Sequence, residues 1–146
     1  MNSNRYSLSA VLLFAVMLAA CQADPTRAIL RAREAQAISR ISTLHQAEVQ
    51  YYTEFNHHAG LPQLGPPAAG GTPGPDAAGI IPANLAGGKL DGFVYTVTPK
   101  PDGYAITAVP SDVGAPGARS FYSDQTLVLR YSATAAPADA NSPELR

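Results

Sequence analysis

From Thr26 to His58 the chain contains neither Gly nor Pro, and the residues that bracket this run are those that start and stop helices. Asp24 can accept a backbone N–H as an N-cap, and Pro25 fits the first helical position, where no N–H is needed. At the other end Gly60 suits the left-handed residue after a helix, Leu61 can add the accompanying apolar contact, and Pro62 forbids resumption. The spacing predicts one helix over about 25–58. Some 33 residues at a rise of 1.5 Å give roughly 50 Å, against a mean globular helix of about 11–12 residues. A chain of 146 residues cannot cover such an element along its whole length.

The two halves of the run differ. Ile38, Ile41, Leu44 (or His45), Glu48, Tyr52 and Phe55 recur at three- and four-residue spacing and predict a packed face. Residues 26–36 are thinly apolar and carry Arg27, Arg31, Arg33 and Glu34. The second half should pack, and the first should project as a stalk. Its arginines are either a solvated helix face or a contact for anionic lipid or a partner.

Residues 59–92 are dominated by Gly and Pro and allow no long regular element, except a short helix near Pro82–Ala86. Leu61, Leu64, Ile80, Ile81 and Leu85 nevertheless predict that this loop packs on the core. Its Gly-Gly pairs lack the strand–loop–helix setting and the Lys-Ser/Thr ending of a phosphate cradle. Strand patterning follows. "FVYTVT" (93–98) alternates, "PKPDG" supplies a turn, and "YAITAV" (104–109) returns. "RSFYS" (119–123) and "TLVLRY" (126–131) form a second pair joined at Asp124-Gln125. The expected fold is α+β: a long N-terminal helix packed on a four-stranded antiparallel sheet over residues 93–131. The helix is the only element able to cover the apolar face of that sheet. Residues 132–146 show no periodicity and are expected to be a disordered tail.

The chain opens with polar residues and one positive charge, Arg5. An apolar run of secretory length follows, too short for a membrane span, and ends in Leu18-Ala19-Ala20-Cys21. That ending resembles a bacterial lipobox: an aliphatic residue, two small residues, then Cys. The resemblance implies that residues 1–20 are a lipoprotein signal peptide, that cleavage falls between Ala20 and Cys21, and that Cys21 carries the lipid. A plain signal peptide with an incidental Cys and an uncleaved anchor are the alternatives. One buried acyl chain holds a protein only marginally, at about 0.8 kcal/mol per CH2, whereas two or three hold it firmly. Gln22, rather than Asp, follows the Cys, which by resemblance to enteric sorting patterns points to the outer rather than the inner membrane.

Composition limits the chemistry. A formal net charge of -1 gives no footprint for nucleic acid, and one Cys excludes both an internal disulfide and a cysteine-rich zinc site. His57 and His58 are adjacent, so on a helix they point about 100° apart, and His45 lies more than three turns earlier. No metal or other cofactor is expected; a His at a helix end is better explained by the carbonyl dipole. Glu48 is either a buried acid with a raised pKa or a side chain bonded to backbone at the edge of the apolar stripe. Ser120 and Ser123 lack a nucleophile-elbow context, and Asp102, Asp112 and Asp124 fall at turns. Tyr51, Tyr52, Tyr95, Tyr104, Tyr122 and Tyr131 are expected in the core and in cross-strand pairs with exposed rims, the alternative being a surface stacking platform. No catalytic residue is identified, and an enzyme is not expected.

A long N-terminal helix laid across a four-stranded antiparallel sheet is the plan of type IV pilins and type II secretion pseudopilins. "EAQAISRISTLHQAEVQYYTEF" (34–55) resembles the second half of a pilin helix. "LGPPAAGGTP…AAGII" (64–81) and "GYAITAVPSDVGAPGARSFYSDQTLVLRY" (103–131) are similar to a bacterial pilin-like group with a "PxxxGxxGxRxFYxD" stretch and a final "RY". The front of the chain departs from that family. There is no Gly-Phe cleavage site and no long apolar half-helix with a Glu at its fifth position. Residues 21–131 thus resemble a pilin-like domain in which a lipid replaces the hydrophobic half-helix. The resemblance implies a membrane-anchored, non-enzymatic assembly or adhesion component of the bacterial cell envelope. Its expected partners are the membrane, through Cys21, and pilus or secretion-system proteins. The alternative is a lipoprotein binding module for a small ligand or glycan.

Overall fold

The computed structural model describes residues 24–112, 118–134 and 136–146. The signal segment 1–20, the Ala20–Cys21 cleavage site and the lipid site at Cys21 lie outside the described residues. Helix α1 spans Pro25–Phe55. Asp24 caps it by accepting the Thr26 N–H at 3.0 Å, and Pro25 takes the first position. It stops three residues before the expected end. Asn56 turns left-handed (φ 56°), and its N–H closes on the Tyr52 carbonyl at 2.8 Å. Asparagine tolerates that conformation, so the chain turns there. Gly60 instead precedes a second, short helix, α2 (Leu61–Leu64).

Along α1, residues 25–33 are exposed apart from half-buried Leu30, and burial begins at Glu34. The buried stripe runs Glu34, Ala37, Ile41, Leu44, Ala47, Glu48 and Tyr51, with Ile38 and Phe55 partly covered. Tyr51, rather than Tyr52, continues the stripe, because from Leu44 and Glu48 the 3.6-residue period reaches 51. Tyr52 stays largely exposed.

The sheet has five antiparallel strands in the order β1 (Lys89–Leu90), β2 (Phe93–Lys100), β3 (Gly103–Pro110), β4 (Ser120–Asp124) and β5 (Arg130–Ser132). The expected four-stranded meander is present. The additional strand, β1, is a two-residue arm turned back by Asp91-Gly92. Both turn residues have positive φ (54° and 83°), the combination of a type I′ hairpin turn, and Leu90 pairs Phe93. The last strand is shorter than expected and begins at Arg130 rather than Thr126. Residues 124–127 are used by a tight turn in which Leu127 N–H meets the Asp124 carbonyl at 2.9 Å.

Phe93, Tyr95 and Val97 of β2, Tyr104, Ile106 and Ala108 of β3, and Phe121 of β4 form a continuous core with the α1 stripe. The 59–92 loop closes it from one end with Leu61, Leu64, Ile81 and Leu85 all buried; short helix α3 (Ala83–Ala86) carries Leu85. Helices α2 and α3 approach so closely that a Cβ on Gly65 would stand 2.5 Å from the Ala86 Cβ.

Residues 136–146 are packed, contrary to the disordered tail expected from their composition. Ala138 is buried against Ala105 and Tyr122 on the sheet face away from α1. Its N–H donates to Ser120 Oγ at 2.8 Å. Further on, the tail pairs with the outer strand: Tyr131 N–H meets the Pro143 carbonyl at 3.0 Å, and Leu145 N–H meets the Leu129 carbonyl at 2.8 Å. The β5 edge is thereby covered, which removes a template for edge-to-edge association.

Candidate functional site

Two features stand out on the α1–sheet unit: a chain of buried polar groups beneath the helix, and an apolar groove beside it. The polar chain starts at Glu48, which the apolar face of α1 carries fully into the core, with 0% exposure. Its Oε2 accepts from His58 Nδ1 at 2.9 Å and from the Ala59 N–H at 3.3 Å; its Oε1 has no partner among the described residues. Burial pushes the Glu48 carboxyl above the usual range, while the His58 and Ala59 hydrogen bonds pull it back part of the way. The His58 ring lies between Tyr52 and Tyr104, with centroids 4.8 and 4.9 Å away.

Tyr104 continues the chain. Its hydroxyl lies 2.8 Å from His45 Nδ1, and His45 Nε2 lies 2.9 Å from Ser123 Oγ. Ser123 donates its proton to the Val128 carbonyl at 3.0 Å. That fixes the rest: Ser123 Oγ must accept from His45 Nε2–H, and Nδ1 of the neutral ring then accepts from the Tyr104 hydroxyl. The neutral form is also the one that burial favours, lowering the His45 pKa, with Asp124 pulling the other way. The Tyr104 hydroxyl is pushed up to about 12 by burial and by the Glu48 and Asp124 charges, so it remains a donor.

A Ser–His contact invites comparison with a nucleophile and its base. Here the serine proton is committed to a carbonyl, the serine is 1% exposed, and the histidine donates to it rather than accepting from it. The arrangement ties helix α1 to β3, β4 and the turn after β4.

The remaining candidates are dispersed. His57 Nδ1–H donates to the Phe55 carbonyl at 2.8 Å, close to the end of the helix. Ser120 bonds the tail. Asp124 accepts from the Thr126 N–H at 3.0 Å within its turn. Among the described residues, no three His, Cys, Asp or Glu side chains gather as a metal would need. Sequence reasoning missed a part-buried ion pair. Glu34 meets Arg119 through two parallel contacts, Oε1–Nε at 3.1 Å and Oε2–Nη2 at 2.6 Å, and also takes the Arg119 backbone N–H at 3.1 Å. The Arg119 guanidinium also stands 5.3 Å from the Tyr131 ring centre and 5.8 Å from that of Phe121. No local spacing signals it, because the partners are 85 residues apart.

The groove has a volume of about 550 Å³ and lies between α1 and the β4–β5 connection. Ile38, Ser42, Gln46 and Val49 form the helix wall, a stripe one turn apart at each step. Ile41, His45 and Ser123 form the floor, and Leu127 and Leu129 the far lip. Val49 and Leu127 are the most exposed large apolar residues described, at 62% and 65%. Leu127 is also left-handed (φ 63°), a conformation that costs a leucine about 1 kcal/mol or more.

No described helix is long and apolar enough to cross a membrane. Comparison with protein-family models, with curated proteins and with solved structures finds no match.

Proposed function

We propose that this chain is a membrane-anchored, non-enzymatic lipoprotein of the bacterial cell envelope, with a pilin-like head that acts by contact. The observation that supports it most is the relation between the lipobox-like ending Leu18–Cys21 and the helix that starts four residues later. The first five residues of α1, 25–29, are all exposed and give a rod of about 7 Å before Leu30 and Arg33 reach the end of the sheet beside Gly92 and Phe93. A lipid on Cys21 would lie four residues from that rod in sequence, close enough to tether the head at the membrane. The head keeps the long-helix-on-sheet arrangement that the pilin resemblance implies, so pilus or type II secretion components are the partners to test. The outer membrane is the favoured site, from Gln22 after the Cys.

Substituting Cys21→Ser tests the anchor. Fatty-acid labelling should vanish, and the protein should leave the membrane fraction. Crosslinking in intact cells tests the partner: recovery of pilus or secretion proteins supports the assembly role, and their absence counts against it.

The groove favours a second reading, a binding module. Its 550 Å³ falls within the range of about 300–1,000 Å³ usual for small-molecule sites. Neither the 59–92 loop nor any tyrosine lines it. The glycan version of this reading therefore has little to recommend it.

A further inference from the structure

The two edges of the sheet are closed in different ways. At β2 the cover comes from the interior of the chain. The Tyr95 N–H meets the Gly88 carbonyl at 2.7 Å, and Pro99, which faces the same edge, has no N–H to offer. At β5 the cover is the C-terminal segment. Residues 143–145 run antiparallel to residues 129–131, with Arg130 opposite Glu144.

That segment is a poor strand on a good template. The Tyr131 N–H reaches the Pro143 carbonyl at 3.0 Å, and the Leu145 N–H reaches the Leu129 carbonyl at 2.8 Å. A residue in the place of Pro143 would normally return an N–H to the Tyr131 carbonyl, and proline has none. The other anchors are small or solvated. Ala138 buries little area, and its N–H donates to Ser120 Oγ at 2.8 Å. The Arg130–Glu144 ion pair spans 3.4 Å with side chains 26% and 48% exposed, a setting in which such pairs contribute little. A chain end held in this way opens locally far more often than a core strand. The strand beneath it is firmly seated: three residues of β5 pair with β4, and Leu129 and Tyr131 pack on the core.

We infer that the β5 edge is a strand-docking site kept covered by the C-terminal segment, and that its partner is an extended segment of another protein carrying an acidic residue followed by an apolar one. This names the contact face of the head and rests on the reading that the head acts by contact. The pattern is that of the present occupant. Glu144 meets Arg130, which also donates to the Ser142 carbonyl at 2.9 Å, and Leu145 packs against the core. The tail has the advantage of its tether, which gives it a high effective concentration. An incoming strand offsets that advantage with an N–H at the Pro143 position, which completes the ladder to Tyr131 and adds a strand to the sheet.

The test uses the full chain in detergent and two fluorescent synthetic peptides: residues 136–146 unaltered, and the same segment with Pro143→Val. The valine peptide should bind about tenfold more tightly than the unaltered one, and adding Glu144→Lys to it should remove that gain. Amide shifts on binding should centre on Leu129, Arg130 and Tyr131. Pro143→Val in the chain itself should weaken peptide binding about tenfold, because the tail then holds its own edge better. Ala138→Asp, which unseats the tail from the outer face of the sheet, should strengthen it by a similar factor. Circular dichroism should show both chain variants folded, since Pro143 is exposed and Ala138 lies apart from the main core. No binding of the valine peptide, even to the Ala138→Asp chain, or shifts centred elsewhere, would overturn the inference. The contact reading would survive that result, because crosslinking in intact cells tests it separately. Dimerisation of the Ala138→Asp chain without peptide would overturn the choice of partner and put a second copy of this chain in its place.

Discussion

Glu48 and His58 form a buried hydrogen bond, Oε2 to Nδ1 at 2.9 Å, that fastens the end of helix α1 to the segment leading into the 59–92 loop. The Glu48 carboxyl is fully enclosed, and His58 is its one side-chain hydrogen-bond partner among the described residues. Removing one partner of a buried hydrogen bond leaves the other unsatisfied, at a cost of about 1–3 kcal/mol. His58→Ala should therefore destabilise the fold by about 2 kcal/mol at pH 7. Because the folded-state pKa of Glu48 is raised, its contribution to stability is complete below its unfolded value of 4.5 and is lost as pH rises through the folded value. The penalty of His58→Ala should accordingly shrink at pH 4, where Glu48 takes up a proton. Urea denaturation at both pH values checks this; an equal or larger penalty at pH 4 would contradict it.

His45 has the opposite sign. Burial depresses its pKa below 6.5, so its contribution is present above pH 6.5 and is lost as pH falls through the folded value. Denaturation midpoints should show wild type losing stability relative to His45→Gln as pH is lowered from 7.5 to 5. A gap that moves the other way would mean that the imidazolium is the form the fold prefers. Nitrogen chemical shifts of the ring should place the proton on Nε2.

Glu34 and Arg119 join the first buried turn of α1 to the start of β4, with side-chain exposures of 8% and 32%. Arg119→Ala should cost about 2 kcal/mol, less than a fully buried pair because the guanidinium is partly solvated. Arg119→Lys should recover less than half of it, since an ammonium cannot make the paired contacts and stacks poorly on Tyr131. Full recovery by lysine would show that charge alone matters.

The Tyr95 hydroxyl is buried without a partner among the described residues, and its pKa is pushed up to about 12, mainly by burial. An unsatisfied buried polar group costs about 1–3 kcal/mol, and removing it while keeping the ring avoids that cost. Tyr95→Phe should leave stability unchanged or raise it by about 1 kcal/mol. Thermal denaturation would expose a hidden partner as a clear loss.

The helix and the central hairpin were legible because both are periodic and punctuated. Asp24-Pro25 starts α1 as expected, and Phe93, Tyr95 and Val97 alternate into the core. β1 was missed although its signal, Asp91-Gly92, stands in the sequence; with two residues on one side, no alternation could flag it. The packing of 136–146 was not legible because single residues carry it. Ala138 fills a space beside Tyr122, and Leu145 reaches Leu129 by backbone pairing. The site was the least legible part. His45 meets Ser123 across 78 residues, and the groove exists only where α1 passes Leu127 and Leu129.

The most direct test of the lipid-anchored reading is the mass of the N-terminal tryptic peptide of the native protein purified from membranes. Cleavage after Arg27 should release a peptide that begins at Cys21 and carries acyl chains on that residue. A chain that begins at Met1, or a Cys21 with a free thiol in a freely soluble protein, would contradict the account.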